Sequence, residues 1–269
     1  MSFIFIGLLY MFKTIKAKQC TLILITAVGL VGASQSAFAH TRLKTPVVNE
    51  NAANHGSDYN AAVVGHGCTN PTTKVVDLTV IGTIVVFPDG KDSIITVDGA
   101  PHTGSLTDFV TNWGSPVTKI QDRSIFDHED YIKDSLGNKL GFWTGGGSGL
   151  KGGFRAVIPF ATAGVVIEPT SCAKSVTFVP GIADICEITD AAGFSDSTVN
   201  VWAPAVGSIF DNPAAHGYDS PATLKVNRSI APLPASCGAG VDVVVKPSAT
   251  QLNRDLRINF NGSQIWPAE

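Results

Sequence analysis

Apolar and polar residues trade places over short distances along most of this 269-residue chain. The alternation is clearest in Leu256-Arg257-Ile258-Asn259-Phe260, where every second side chain is apolar, as a half-buried strand requires. Comparable short runs rich in Val, Ile, Thr and Phe occupy 74–80, 81–87, 93–97, 154–160, 164–167, 175–179, 198–202, 222–226 and 241–245. Turn signals separate them, among them Pro88-Asp89-Gly90, Asp98-Gly99, Pro180-Gly181 and Asn261-Gly262. Helical periodicity is nearly absent, and its best candidate is a short turn within 105–113. The pattern predicts an all-β protein, two antiparallel sheets packed as an immunoglobulin- or cupredoxin-like β-sandwich. Residues 122–153 break it with more charge and a glycine-rich run from Gly145 to Gly153. That stretch is expected to be a loop insertion in a single domain spanning 40–269. A split into two domains near the glycine run is the alternative.

The first forty residues follow another pattern. Lys13, Lys16 and Lys18 precede an apolar run at 21–31, then small and polar residues, then Ala37-Phe38-Ala39. This is the charged, apolar, A-x-A order of a cleavable secretory signal, so the mature protein is expected to begin at His40. The apolar run is short for a membrane span, and no later stretch reaches that length. Another apolar segment, 2–10, lies ahead of Met11, so either Met1 or Met11 is the true start. An uncleaved anchor is the alternative reading of that segment. The expected location is the periplasm or the extracellular space.

Removing residues 1–39 from 269 leaves 230 and takes away three lysines and no acids, so the formal charge moves from −3 to −6. Mild acidity argues against a nucleic-acid partner. Both methionines lie in the removed part, so the mature chain has no thioether. Cys20 leaves with the signal, and Cys68, Cys172, Cys186 and Cys237 remain. Four cysteines in an exported chain predict two disulfides, with three connectivities open. A zinc site is the rival use, but no C-x-x-C pair supports it.

His40 carries the candidate chemistry. As a first residue, its α-amine and Nδ1 would chelate one metal ion, and a second imidazole would complete a T-shaped set of three nitrogens. Nitrogen ligands in tetragonal geometry favour Cu(II), and without methionine or free thiol the chain offers Cu(I) no soft sulfur. The bland reading is that cleavage falls before a histidine by chance. The segment Val64-Gly65-His66-Gly67-Cys68-Thr69-Asn70-Pro71-Thr72-Thr73-Lys74-Val75 adds a second signal. It resembles the H-G-C-x-x-x-T-T-x-V motif of the YcnI-like periplasmic copper-binding family, as do the pair Ala39-His40 and the stretch Gly56-Ser57-Asp58-Tyr59. The resemblance covers 40–80, with 176–186 and Trp202 as a looser counterpart further on. It implies one Cu(II) ion held by the amine and imidazole of His40, a carboxylate ligand, and a nearby tryptophan. The carboxylate position does not transfer, because this chain has Glu50, His55 and Tyr59 in that neighbourhood. His66 is the first choice for a second imidazole and His55 the next; a structural histidine beside a disulfide is the other reading of His66. Trp202 would cover the metal or fill the core, and Glu50 and Asp58 would lie near the metal or stand as solvated acids.

The other histidines offer less. His102 sits in a polar context, and Asp127-His128-Glu129-Asp130 is either a weak hard-metal cluster or a solvated loop. No H-E-x-x-H, G-x-S-x-G or P-loop motif is present. The expected function is an exported copper(II)-binding protein for acquisition, storage or delivery, with copper and another copper-handling protein as partners, and no turnover. Two readings compete. The chain also resembles lytic polysaccharide monooxygenases in its amino-terminal histidine, size and expected disulfide-linked sandwich. That enzyme would use Trp113, Trp143, Trp202 and Trp266 as an aromatic glycan surface. The third reading is a structural or adhesive β-protein in which His40 is incidental.

Overall fold

Val243 and Val245 point inward from their strand while Asp242, Val244 and Lys246 are only partly covered, and Leu224 and Val226 alternate with Lys225 and Asn227 in the same way. This two-residue period builds most of the molecule. A computed structural model describes residues 40–51, 58–202, 207–211 and 221–269. They belong to the unit His40–Glu269, which is distinct from Met1–Ala39. In chain order the strands are β1 (Arg42–Leu43), β2 (Val47–Asn49), β3 (Asp58–Val64), β4 (Val80–Val86), β5 (Ser93–Val97) and β6 (Ala100–His102). Next come β7 (Val117–Lys119), β8 (His128–Lys133), β9 (Lys139–Leu150), β10 (Ala156–Thr162), β11 (Ala173–Phe178) and β12 (Gly181–Ile185). The last are β13 (Val199–Trp202), β14 (Leu224–Asn227), β15 (Val241–Pro247), β16 (Ile258–Phe260) and β17 (Ser263–Trp266), with one α-helix, α1 (Ala249–Asp255), before the final hairpin.

These strands form a β-sandwich. One sheet has the order β1-β3-β10-β7, a second β2-β14-β11-β15-β5-β6, and a third β13-β12-β4-β9-β8. Most pairs are antiparallel, as expected. Two pairs in the six-stranded sheet, β11 with β15 and β14 with β2, are parallel. Parallel neighbours need long crossovers, and the chain supplies them between distant segments. All three sheets contribute to one core, through side chains such as Ala62, Val85, Phe142, Phe160, Phe178 and Val243. A second core lies on the far face of the five-stranded sheet. There Ile84, Trp143, Ala183 and Val201 meet Leu252 and Leu256 from the end of α1 and Trp266 of the hairpin.

Helix α1 has a sequence signal that the strand pattern obscures. The Ser248 hydroxyl accepts a hydrogen bond from the Gln251 amide at 3.1 Å, an N-cap. Gln251, fully buried, then donates to the Phe87 carbonyl at 2.9 Å. Arg254 reaches Asp89, Asp92 and Asp255 together, fastening the helix to the turn after β4.

Three expectations need correction. Residues 122–153 are not a loop insertion: β8 and β9 are strands of the five-stranded sheet, and the glycine run lies largely within β9. Glycine is needed there for close packing, since a Cβ on Gly149 would sit 2.5 Å from the Val80 carbonyl oxygen, and outside the run one on Gly141 would sit 2.1 Å from that of Val85. Residues 74–80 form only one bridge, Thr69 with Val76, before β4 begins at Val80. The run 164–167 is not a strand, and Ile167 forms an isolated bridge with Val110; Pro180-Gly181 does mark a break, between β11 ending at Phe178 and β12 starting at Gly181. The short turn expected within 105–113 is a single 3-10 turn, Leu106–Asp108.

The four cysteines form two disulfides, Cys68–Cys186 and Cys172–Cys237. The second ties the start of β11 to the turn before β15 and closes a 65-residue separation. Chain-entropy reasoning gives such a crosslink about 4 kcal/mol of stability. Replacing both Cys172 and Cys237 with Ser should therefore lower the urea unfolding free energy by about that amount. An unchanged midpoint would show that the unfolded chain gains no freedom when the bond is removed.

Candidate functional site

Strand β12 reads Gly181-Ile182-Ala183-Asp184-Ile185, an acid inside an otherwise apolar strand that is buried throughout. Asp184 is 1 % exposed. An isolated buried carboxylate is costly, so its oxygens must find donors. Three converge on it. The Thr41 hydroxyl donates to Oδ2 at 2.6 Å and the Trp202 indole Nε1 donates to the same oxygen at 2.9 Å. The Thr83 hydroxyl donates to Oδ1 at 2.6 Å. Burial pushes the carboxyl above its ordinary range. These hydrogen bonds oppose that shift, as does the nearby His66 imidazole when charged.

The same contacts position His40. Thr41, its immediate neighbour, is held by Asp184, and so is the indole on which the His40 ring lies. The two rings stack with centroids 4.3 Å apart and planes at 22°. The His66 ring stands perpendicular to the same indole, centroids 6.1 Å apart and planes at 88°. Trp202 thus fills the core, at 7 % exposure, and also faces both histidines. Of the two uses expected from the sequence, filling the core is the one observed.

His66 is fixed from its own segment. Its Nδ1 lies 2.5 Å from the Gly67 carbonyl oxygen. A carbonyl only accepts, so Nδ1 is the donor, and in the neutral imidazole the lone pair lies on Nε2. Asn200 donates to the same carbonyl at 3.1 Å. Gly67 cannot be replaced without movement, since a Cβ there would fall 1.7 Å from the Leu78 carbonyl oxygen. Cys68 then bonds to Cys186, two residues past Asp184 on the same strand register. The T-T part of the motif serves a different purpose. Asn70 Oδ1 accepts the amides of Thr72 and Thr73, and the Asn70 carbonyl accepts the Lys74 amide, so these residues form a surface turn.

Other predicted residues lie elsewhere or have other uses. Glu50 is not a solvated acid: it is 7 % exposed, and its carboxylate accepts backbone amides from Ile167, Ser229 and Ile230 at 2.6–2.8 Å. It fastens loops to one another, which is a structural role. Asp58 opens β3, and Tyr59 beside it is exposed. His55 and His216 lie outside the described residues. His102 pairs with Asp108 at 2.8 Å. Within Asp127-His128-Glu129-Asp130, Glu129 is engaged by Lys119 at 2.8 Å, and the segment belongs to or borders β8. Trp113 stacks flat on Phe178 at 3.7 Å, and Trp143 and Trp266 are buried, so none of the four tryptophans is exposed. Among the described residues, no three His, Cys, Asp or Glu side chains lie close enough to hold a metal ion.

No motif in the sequence marks Asp184. Its signal is visible afterwards: one acid in the run Phe178-Val179-Pro180-Gly181-Ile182-Ala183-Asp184-Ile185. An acid at a position where strand alternation demands burial is a marked feature.

No family model matches this chain, and no curated protein matches it. Among solved structures, it is similar to a protein from Nocardia farcinica described as uncharacterized with an immunoglobulin-like fold. Identity is 15 %, coverage is 70 % of this chain and 99 % of the other, and the TM-score is 0.32. A likeness at that level carries no argument about function.

Removing the carboxylate should leave the Trp202 Nε1–H and two buried hydroxyls without an acceptor. Each unsatisfied buried donor costs about 1–3 kcal/mol. Asp184→Ala should therefore lose at least about 2 kcal/mol in urea unfolding and change Trp202 emission. Asp184→Asn retains one acceptor for the indole and should lose less. Equal stability of Asp184→Ala and the parent would show that the cluster does not hold this end of the sandwich.

Proposed function

We propose that the protein is exported, is cleaved after Ala39, and binds one Cu(II) ion at the new amino terminus for copper acquisition, storage or delivery. The observation that carries this reading is the convergence of His40 and His66 on one indole, the first ring stacked on it and the second perpendicular to it. In the full chain the His40 nitrogen is a peptide nitrogen and a poor ligand. Cleavage would convert it into an amine beside an imidazole that is already stacked in place. With Nδ1 engaged by the Gly67 carbonyl, Nε2 of His66 is the second imidazole nitrogen that such a chelate calls for. The H-G-C-x-x-x-T-T-x-V resemblance supports the same reading, with the His66-Gly67-Cys68 part at the site and the T-T part in the adjoining turn.

Ligand supply also favours this reading. With all four mature cysteines in disulfides and no methionine, nitrogen and oxygen donors are what the chain can offer, and these suit Cu(II). Binding for transport needs affinity and exchange, not an open face with a glycan platform. The burial of Trp143 and Trp266 and the stacking of half-buried Trp113 on Phe178 weigh against a polysaccharide surface built from them.

Protein processed to begin at His40 should bind close to one equivalent of Cu(II), read by titration with electron paramagnetic resonance. One extra alanine ahead of His40 should weaken binding by about 100-fold or more, since it replaces the amine ligand with an amide. Full affinity in the extended protein would sink the proposal. A second comparison separates the two imidazole candidates. His66→Ala should raise Kd by about tenfold or more, and His55→Ala should change it less. The reverse order would reassign the second ligand to His55.

A further inference from the structure

The opposite face of the five-stranded sheet carries a feature that the copper reading does not use. Register places four residues in one row across it: Ile185 of β12 opposite Gly82 of β4, Gly82 opposite Gly145 of β9, and Gly145 opposite His128 of β8. Neighbouring strands are about 4.8 Å apart. Two glycines side by side therefore leave a trough about two strands wide, walled by Ile185 on one flank and His128 on the other. A Cβ on Gly82 would lie 3.2 Å from the Thr144 carbonyl oxygen and 3.9 Å from Ile258 Cδ1, so a side chain there would take up space between the sheet and the hairpin.

The final hairpin roofs the trough without filling it. Ile258, Phe260 and Ile265 of β16 and β17 line a cavity of about 240 Å³ against the glycine floor. Ile188, 53 % exposed, stands at its edge. His128 supplies the imidazole and is itself packed on Phe260, ring centroids 4.6 Å apart. The remaining wall is apolar, including Trp143 and Trp266. An apolar cavity of about 150 Å³ already takes up benzene. The space here exceeds that and is too small for a peptide strand or helix, which restricts the occupant to a small molecule.

We propose that this cavity is a binding site for a small planar aromatic compound of one or two fused rings. The ring lies on the peptide planes of Gly82 and Gly145 beneath the hairpin, and a single polar atom of the ligand faces His128. Flatness is set by the side-chain-free floor, size by the hairpin roof, and polarity by the one imidazole. The site is separate from the His40 centre, because Asp184 and Ile185 are consecutive in a strand and face opposite sides of the sheet.

Indole is a suitable probe, titrated by calorimetry into the protein spanning His40–Glu269. One site per chain should saturate with Kd of about 1 mM or tighter. Gly82→Val, which fills the floor, and Ile188→Asp, which charges the rim, should each weaken binding by about tenfold or more. Thermal melting checks that Gly82→Val is folded; if it is not, the exposed-rim variant decides alone. No saturable heat, or saturable binding that the folded variants leave unchanged, overturns the assignment.

Discussion

A single buried carboxylate, Asp184, organises one end of the sandwich. Its two oxygens draw in a hydroxyl from the segment that opens the described chain, a hydroxyl from β4 and the indole of β13. These partners are 143, 101 and 18 residues away in sequence. The opening segment held by Asp184 is short, since β1 has only two residues and pairs with β3. An apolar side chain of similar size would pack well enough but would leave three donors without an acceptor. The cost of burying the acid is therefore offset by a network that fixes which strands meet and where His40 lies.

Much of the fold was legible because strand burial has a period of two. The runs at 93–97, 175–179, 198–202 and 241–245 became β5, β11, β13 and β15 with ends shifted by no more than two residues. What failed was the glycine run. Glycine has no side chain to register as inside or outside, so β9 carries no readable period over Gly145-Gly146-Gly147-Ser148-Gly149. Its register comes from its neighbours, β4 and β8, and from the close approach that only glycine permits at Gly141. Helix α1 was hidden for another reason: at seven residues it is too short to show a helical stripe.

The candidate site was legible in part. His40, His66 and Trp202 could be singled out as chemistry, and the structure brings those three together. Their mutual geometry was not legible, because the strand that unites them contributes an acid with no metal-site spacing around it. Glu50 shows the converse. Its sequence context does not distinguish a ligand from a surface charge, yet its oxygens are engaged by three backbone amides. Backbone partners leave no trace in side-chain identity, so carboxylates that tie loops together are invisible to motif reasoning.

Strand alternation also explains how one sheet holds two unrelated features. In β12 the side chains of Ile182 and Asp184 face the main core, while Ala183 and Ile185 face the layer made by α1 and the hairpin. The row through Asp184 meets Thr83 and Asn200, and the next row meets Gly82 and Val199. A slip of one residue would exchange the two faces, putting Ile185 among the donors and the acid beneath the hairpin. The Cys68–Cys186 bond opposes such a slip, since it anchors the residue after Ile185 to the His66-Gly67-Cys68 segment. The disulfide therefore maintains the strand register on which both the His40 end and the glycine trough depend.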